Sequence, residues 1–69
     1  MSVYRVIDVI GTSTTSWEDA ATSAVRTAKG SLRDLRVAEV VQQDISLGEG
    51  DEITFRVKLS VSFKYEDGQ

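Results

Sequence analysis

The chain has no cysteine and no histidine. The first absence removes disulfide staples and thiolate metal ligands, and it leaves the redox compartment unmarked. The second removes the Ser-His and Cys-His pairs of nucleophilic catalysis together with the commonest zinc ligand. An enzyme would have to work with carboxylates, lysine or a cofactor, so the chain is read as non-enzymatic. Long apolar runs are missing too: no stretch approaches the roughly 18 residues of a spanning helix, and Met1 to Ile10 alternates through Arg5 and Asp8 instead of forming a signal-peptide core. A soluble, cytoplasmic protein without a membrane partner is expected. Eleven acidic against eight basic residues leave a formal charge of −3. The basic residues are scattered along the sequence and make no phosphate-neutralising stripe, which argues against nucleic acid.

What is present is a β pattern. From Ile53 to Tyr65 every odd position is apolar (Ile53, Phe55, Val57, Leu59, Val61, Phe63, Tyr65) and every even position is polar. Strict period-two alternation predicts a half-buried strand, roughly 43 Å long at about 3.3 Å per residue. The one plausible helix, near residues 17 to 32, would be about 24 Å long and cannot cover that face. In a single domain spanning residues 1–69, with no disulfide staple to help, the likeliest cover is another copy of the chain.

Val3 to Ile10 is rich in β-branched residues and is predicted as the first strand, with Gly11-Thr12-Ser13 as a turn into the helix. That glycine turn lacks any surrounding phosphate-binding fingerprint and carries no ligand assignment. Ser16 with Asp19, and Thr15 with Glu18, both have the spacing of a helix cap, so the helix begins at Trp17. Its stripe of Trp17, Ala20, Ala21, Ala24, Val25, Ala28 and Leu32 is mostly alanine, which lets the helix lie close on a sheet. Gly30 is either a frayed last turn or a place where another backbone passes. Trp17 itself is read as a packing residue of the core or of a subunit contact.

Leu35 to Leu47 is the second long strand, and Leu47-Gly48-Glu49-Gly50-Asp51 is a hairpin turn into the third. The prediction is an α+β fold of order β-α-β-β: a three-stranded antiparallel sheet with the third strand in the centre, packed on one helix. Counted by strict alternation, Glu39 falls within the apolar face of the second strand, where a carboxylate calls for a cation; Arg5 and Arg56 are the candidates. Asp8, Glu39, Asp44 and the turn acids Glu49, Asp51 and Glu52 are the carboxylates available to a hard cation, with no preferred spacing among them and no EF-hand pattern.

The runs Tyr4–Ser13, Ser16–Ala21, Leu32–Val41 and Phe55–Phe63 together resemble the dodecin family over nearly the whole chain. That resemblance implies β-α-β-β subunits assembled as hollow spherical homododecamers, many of which store riboflavin, FMN or FAD in stacked pairs. It also implies the ligand-facing positions. The tryptophan that stacks on the flavin in flavin-binding members corresponds to Val37, and the glutamine that hydrogen-bonds the flavin edge corresponds to Arg56. An aspartate that meets the ribityl chain corresponds to Gln42, and a phosphate-binding arginine of some bacterial members corresponds to Asp44. The chain is therefore most similar to the tryptophan-lacking branch, which includes calcium dodecins. The expected function is a dodecin-type shell that binds a small ligand, by family resemblance a flavin. The alternative is a flavin-free, calcium-binding or purely structural oligomer.

Overall fold

Four elements follow one another in the computed structural model, which describes residues 2–64: β1 (Tyr4–Ser13), α1 (Trp17–Ser31), β2 (Leu35–Leu47) and β3 (Ile53–Lys64). The sheet is antiparallel in the order β1-β3-β2, as the alternation of β3 requires. Tyr65, the last residue of the predicted strand, lies outside the described residues. The odd residues of β3 face α1, and Val57, Leu59 and Val61 are buried there against Ala20. Ile7 and Val9 of β1, Leu35 of β2 and Trp17, Ala21, Ala24 and Val25 of α1 pack around that cluster.

Ser16 is the N-cap of α1: its Oγ accepts the Asp19 amide at 2.9 Å. The carboxylates of Glu18 and Asp19 in the first turn and Lys29 in the last complement the helix dipole. Ser13 braces the entry, its Oγ donating to Asp19 Oδ2 at 2.7 Å while accepting the Thr15 amide at 2.9 Å. At the other end the extended backbone of Leu32 stops the helix, its N–H donating to the Ala28 carbonyl at 2.8 Å.

Two expectations need correction, and the open reading of Gly30 is narrowed. Gly11-Thr12-Ser13 is not a turn but the end of β1, paired with Val57, Arg56 and Phe55. Gly11 is there because α1 crosses it: a Cβ at this position would overlap the Ala20 carbonyl oxygen and sit 2.9 Å from the Ala24 Cβ. Gly30 has no such neighbour, since nothing lies within 4 Å of a Cβ built on it. The second correction concerns β2, which carries register irregularities between Leu35 and Val37 and between Val40 and Gln42. A bulge sends the following residues to the opposite face. Ala38 and Val40 therefore lie on the helix side, opposite Val61 and Leu59, while Glu39 stands opposite Ser60 on the helix-free side. Glu39 is exposed and pairs with neither proposed cation: Arg56 bonds Asp44, and Arg5 lies over the Phe63 ring at 5.6 Å from its centroid.

The hairpin tip needs Gly50 in left-handed conformation, φ 69°. Beyond it β2 and β3 overhang the helix, which packs mainly on β1 and touches β2 least. Ile45, Leu47 and Ile53 are exposed toward the tip, and Val40 and Val41 along the sparsely covered β2.

Candidate functional site

The helix-free face of the sheet is a grid of cross-strand rows fixed by the register. Running along β3, the rows are Val6-Ser62-Val37, Asp8-Ser60-Glu39, Ile10-Lys58-Gln42 and Thr12-Arg56-Asp44. Three of the positions singled out in the sequence meet here. Gln42, Asp44 and Arg56 line one small cavity with Ile10 and Lys58.

Asp44 and Arg56 are directly opposed, and the guanidinium engages the carboxylate in a fork: Nε donates to Oδ1 at 2.8 Å and Nη2 to Oδ2 at 3.0 Å. Parallel N–H···O bonds of this kind fix orientation as well as distance. The hydrogen bond from Arg56 holds the Asp44 carboxyl below its ordinary value against an opposing desolvation, and the guanidinium charge adds to the lowering. Asp44 in turn raises the Arg56 guanidinium. The pair is partly solvated, its side chains 36% and 45% exposed, so its role is geometric more than energetic.

A further contact ties this pair to the helix. The Trp17 indole Nε1 donates to the Asp44 carbonyl oxygen at 3.1 Å, and its ring meets Phe55 edge-on with centroids 5.1 Å apart and planes at 74°. Trp17 is thus a packing residue with a polar handle on the candidate site. One row away, Lys58 Nζ stands 4.0 Å from Asp8 Oδ2.

Val37 does not join this group. It is two rows distant, roughly 13 Å along β3 at the usual strand rise, and is 61% exposed. Its carbonyl accepts a bond from Ser62 Oγ at 3.4 Å. The cavity holds about 30 Å³, the space of one water. A tricyclic flavin ring does not fit it, and no aromatic side chain among the described residues lines it. Oxygen donors for a cation are also divided: Asp44 is committed to Arg56, the turn acids lie at the far end of the hairpin, and Asp8 and Glu39 flank Ser60 in one row. Among the described residues no three acidic side chains converge. Calcium takes six to eight oxygen ligands, so the described residues of one chain do not make a full site.

Lys58 and Ile10 were not among the predicted site residues. Their signal was available, since Lys58 is two residues from Arg56 and therefore on the same face, and Ile10 follows once the antiparallel register is known. Among the described residues no helix is long and apolar enough to cross a membrane.

Comparison with known proteins agrees with this architecture. The family model for Dodecin matches residues 3–66. The chain is 55% identical over 69 residues to calcium dodecin of Mycobacterium tuberculosis, covering 100% of this chain and 97% of that protein. A crystal structure of that calcium dodecin, described as a calcium-chelating immunodominant antigen with a novel calcium-binding site, superposes with a TM-score of 0.87 at 54% identity, covering 99% of this chain and 97% of the other. Dodecin from Streptomyces coelicolor superposes with a TM-score of 0.88 at 33% identity, covering 97% and 96% of the two chains. With sequence and backbone in agreement from end to end, the chain belongs to the dodecin family.

Proposed function

We propose that this protein is a non-enzymatic, single-domain subunit of a homododecameric shell that binds calcium, and that flavin is not its ligand. The observation that carries the choice is the Asp44–Arg56 fork. It occupies the positions that the family resemblance assigns to a flavin's phosphate and ring edge, while the stacking position is the exposed Val37. Full-length similarity to a protein named calcium dodecin supports the same reading. Val37, Gln42, Asp44 and Arg56 then form part of the ligand-facing surface without making a flavin site. The carboxylates best placed for a cation are Asp8 and Glu39, one on each side of the Ser60 hydroxyl, with the remaining oxygens drawn from water and a neighbouring copy. Calcium bound there would supply charge neutralisation between chains.

Asp44 is held lower and Arg56 higher by their mutual hydrogen bond, so both stay charged and the fork is a fixed feature of this face. Self-assembly is supported by the apolar surface that one chain leaves bare: Val6, Ile10 and Val37 on one face of the sheet, Val40, Ile45, Leu47 and Ile53 on the other. Exposed apolar area on that scale marks an interface.

Size exclusion with light scattering is expected to give the mass of a dodecamer, and calorimetry on that species to give heat for calcium and none for FMN, FAD or riboflavin. Glu39→Gln and Asp8→Asn should each weaken calcium binding, while Glu18→Gln, on the exposed first turn of α1, leaves it unchanged. A yellow preparation releasing flavin on denaturation, with no calcium heat, would overturn the calcium reading and restore the flavin one.

A further inference from the structure

Cations close in sequence are set by the fold at one end of the molecule. Arg26, Lys29, Arg33 and Arg36 all fall between the second half of α1 and the start of β2, whereas Glu49, Asp51 and Glu52 form the β2–β3 turn. From Arg36 to Glu49 the chain runs roughly 40 Å at the usual strand rise, in a molecule whose longest dimension is 53 Å. The two groups cannot meet within one chain.

Each end also carries apolar surface. Between α1 and β2 lie two adjoining hollows of about 190 and 390 Å³ that share Val25, Lys29 and Ala38. Val25, Ala38 and Val40 contribute apolar surface to this groove, Arg26, Lys29 and Arg36 stand along it, and no carboxylate among the described residues lines it. The ion pairs of the described residues are Asp44–Arg56 and Asp8–Lys58, so none of these three cations is engaged among them. At the opposite end Leu47 and Ile53 form a cross-strand pair next to the acids, 78% and 46% exposed.

We propose that the β2–β3 turn of one copy docks into the α1–β2 groove of a second copy, Leu47 and Ile53 against Val25, Ala38 and Val40, and the turn acids against Arg26, Lys29 and Arg36. This rests on the self-assembly reading above and names the surfaces that perform it. A net charge of −3 makes copies repel on average, and complementary ends select the one approach in which opposite charges meet. The contact is head to tail, and such contacts close into rings when the rotation returns to its start. Screening acts on exposed charges of this kind, so docking weakens as salt rises.

Reversal of charge on the full chain tests the proposal, read by light scattering and thermal midpoint at one fixed concentration. Arg26→Glu with Lys29→Glu reverses the groove, and Glu49→Lys with Asp51→Lys reverses the turn. Each half-reversed protein is expected to lose the parent's assembled mass, and the chain carrying all four changes to recover it, which also shows that the substitutions are compatible with folding. Half-reversed proteins that keep the parent's mass and midpoint, or a fully reversed chain that does not recover, would overturn the docking while leaving self-assembly intact. A parent that runs as a single chain overturns both.

Discussion

Alanine at position 11 is expected to destabilise this protein and alanine at position 30 to stabilise it, although each replaces a glycine with the same methyl group. Gly11 is buried in the β1–β3 ladder beneath α1. A methyl there overlaps the Ala20 carbonyl oxygen and comes 2.9 Å from the Ala24 Cβ, against 3.4 Å for the start of ordinary contact, so the helix must lift by at least 0.5 Å, the difference between the two. Neither obstacle can swing aside, one being backbone and the other a one-carbon side chain. Overpacking of this kind costs about 1–3 kcal/mol, and the stiffer unfolded chain returns about 0.4–1 kcal/mol. Taken at the middle of each range, the net loss of about 1.3 kcal/mol lowers the thermal midpoint by about 5–10 °C in a domain of this size.

At Gly30 the methyl meets nothing within 4 Å, and the helix propensity of alanine adds up to about 1 kcal/mol. Circular dichroism melts of parent and both variants at a single chain concentration give the comparison, since assembly makes the midpoint depend on concentration. Two shifts of the same sign would refute the argument that close helix-to-strand approach, and not turn geometry, placed a glycine at position 11.

Trp17→Phe keeps a ring against Phe55 but removes the donor to the Asp44 carbonyl; a loss of about 0.5–1.5 kcal/mol in urea denaturation is expected, and an unchanged midpoint would mean that the 3.1 Å bond contributes nothing. The double change Val37→Trp with Arg56→Gln opens the fork and installs a stacking ring on an exposed position, so flavin affinity by fluorescence quenching should rise from none to measurable with the assembly intact. Equal flavin binding by parent and variant would mean that the ligand face has been misplaced. Because its folded pKa is depressed, Asp44 contributes stability that is fully present above the ordinary carboxylate range and is lost as pH falls through its lowered value. Asp44→Asn should therefore flatten the acid limb of a midpoint-against-pH curve and leave the shape above pH about 5 unchanged, and a curve parallel to the parent's throughout would contradict the linkage.

Element order, the cap at Ser16 and the central place of β3 were legible because each rests on local chemistry: a hydroxyl three residues before an amide, or thirteen positions of alternating polarity. The faces of β2 were not legible. A bulge is set by how two strands pair, and neither Arg36 nor Val41 carries a mark of it, so counting in twos placed Glu39 in an apolar interface that it does not enter. Gly11-Thr12-Ser13 misled for a related reason. The run has turn composition, yet the glycine answers to a helix that is distant until the chain folds. At the candidate site, Gln42, Asp44 and Arg56 were legible through family resemblance, but the pairing of Asp44 with Arg56 depends on the register after the second bulge. The basic residues at one end were close in sequence, Arg26 to Arg36 being eleven residues, but the apolar groove between α1 and β2 beside which they stand exists only in the fold.

Calcium binding and assembly should be linked, and the link follows from counting oxygens. Asp8, Ser60 and Glu39 lie in one row across three strands, and their side chains fall short of the six to eight oxygens that calcium takes. Lys58 Nζ, 4.0 Å from Asp8, competes for the same carboxylate. An isolated chain would have to complete the shell with water and would hold the ion weakly. In the assembled state a neighbour's carboxylates can join, so calcium binds the assembly more tightly than the free chain and must, by the same free energy, favour assembly. Dilution followed by light scattering is expected to show dissociation at lower chain concentration when calcium is present than when it is chelated. Magnesium, which demands small octahedral geometry and gives up its waters reluctantly, should shift that concentration less. If dissociated chains bind calcium as tightly as the assembly does, the ion is held within one chain, and the division of ligands between copies is wrong.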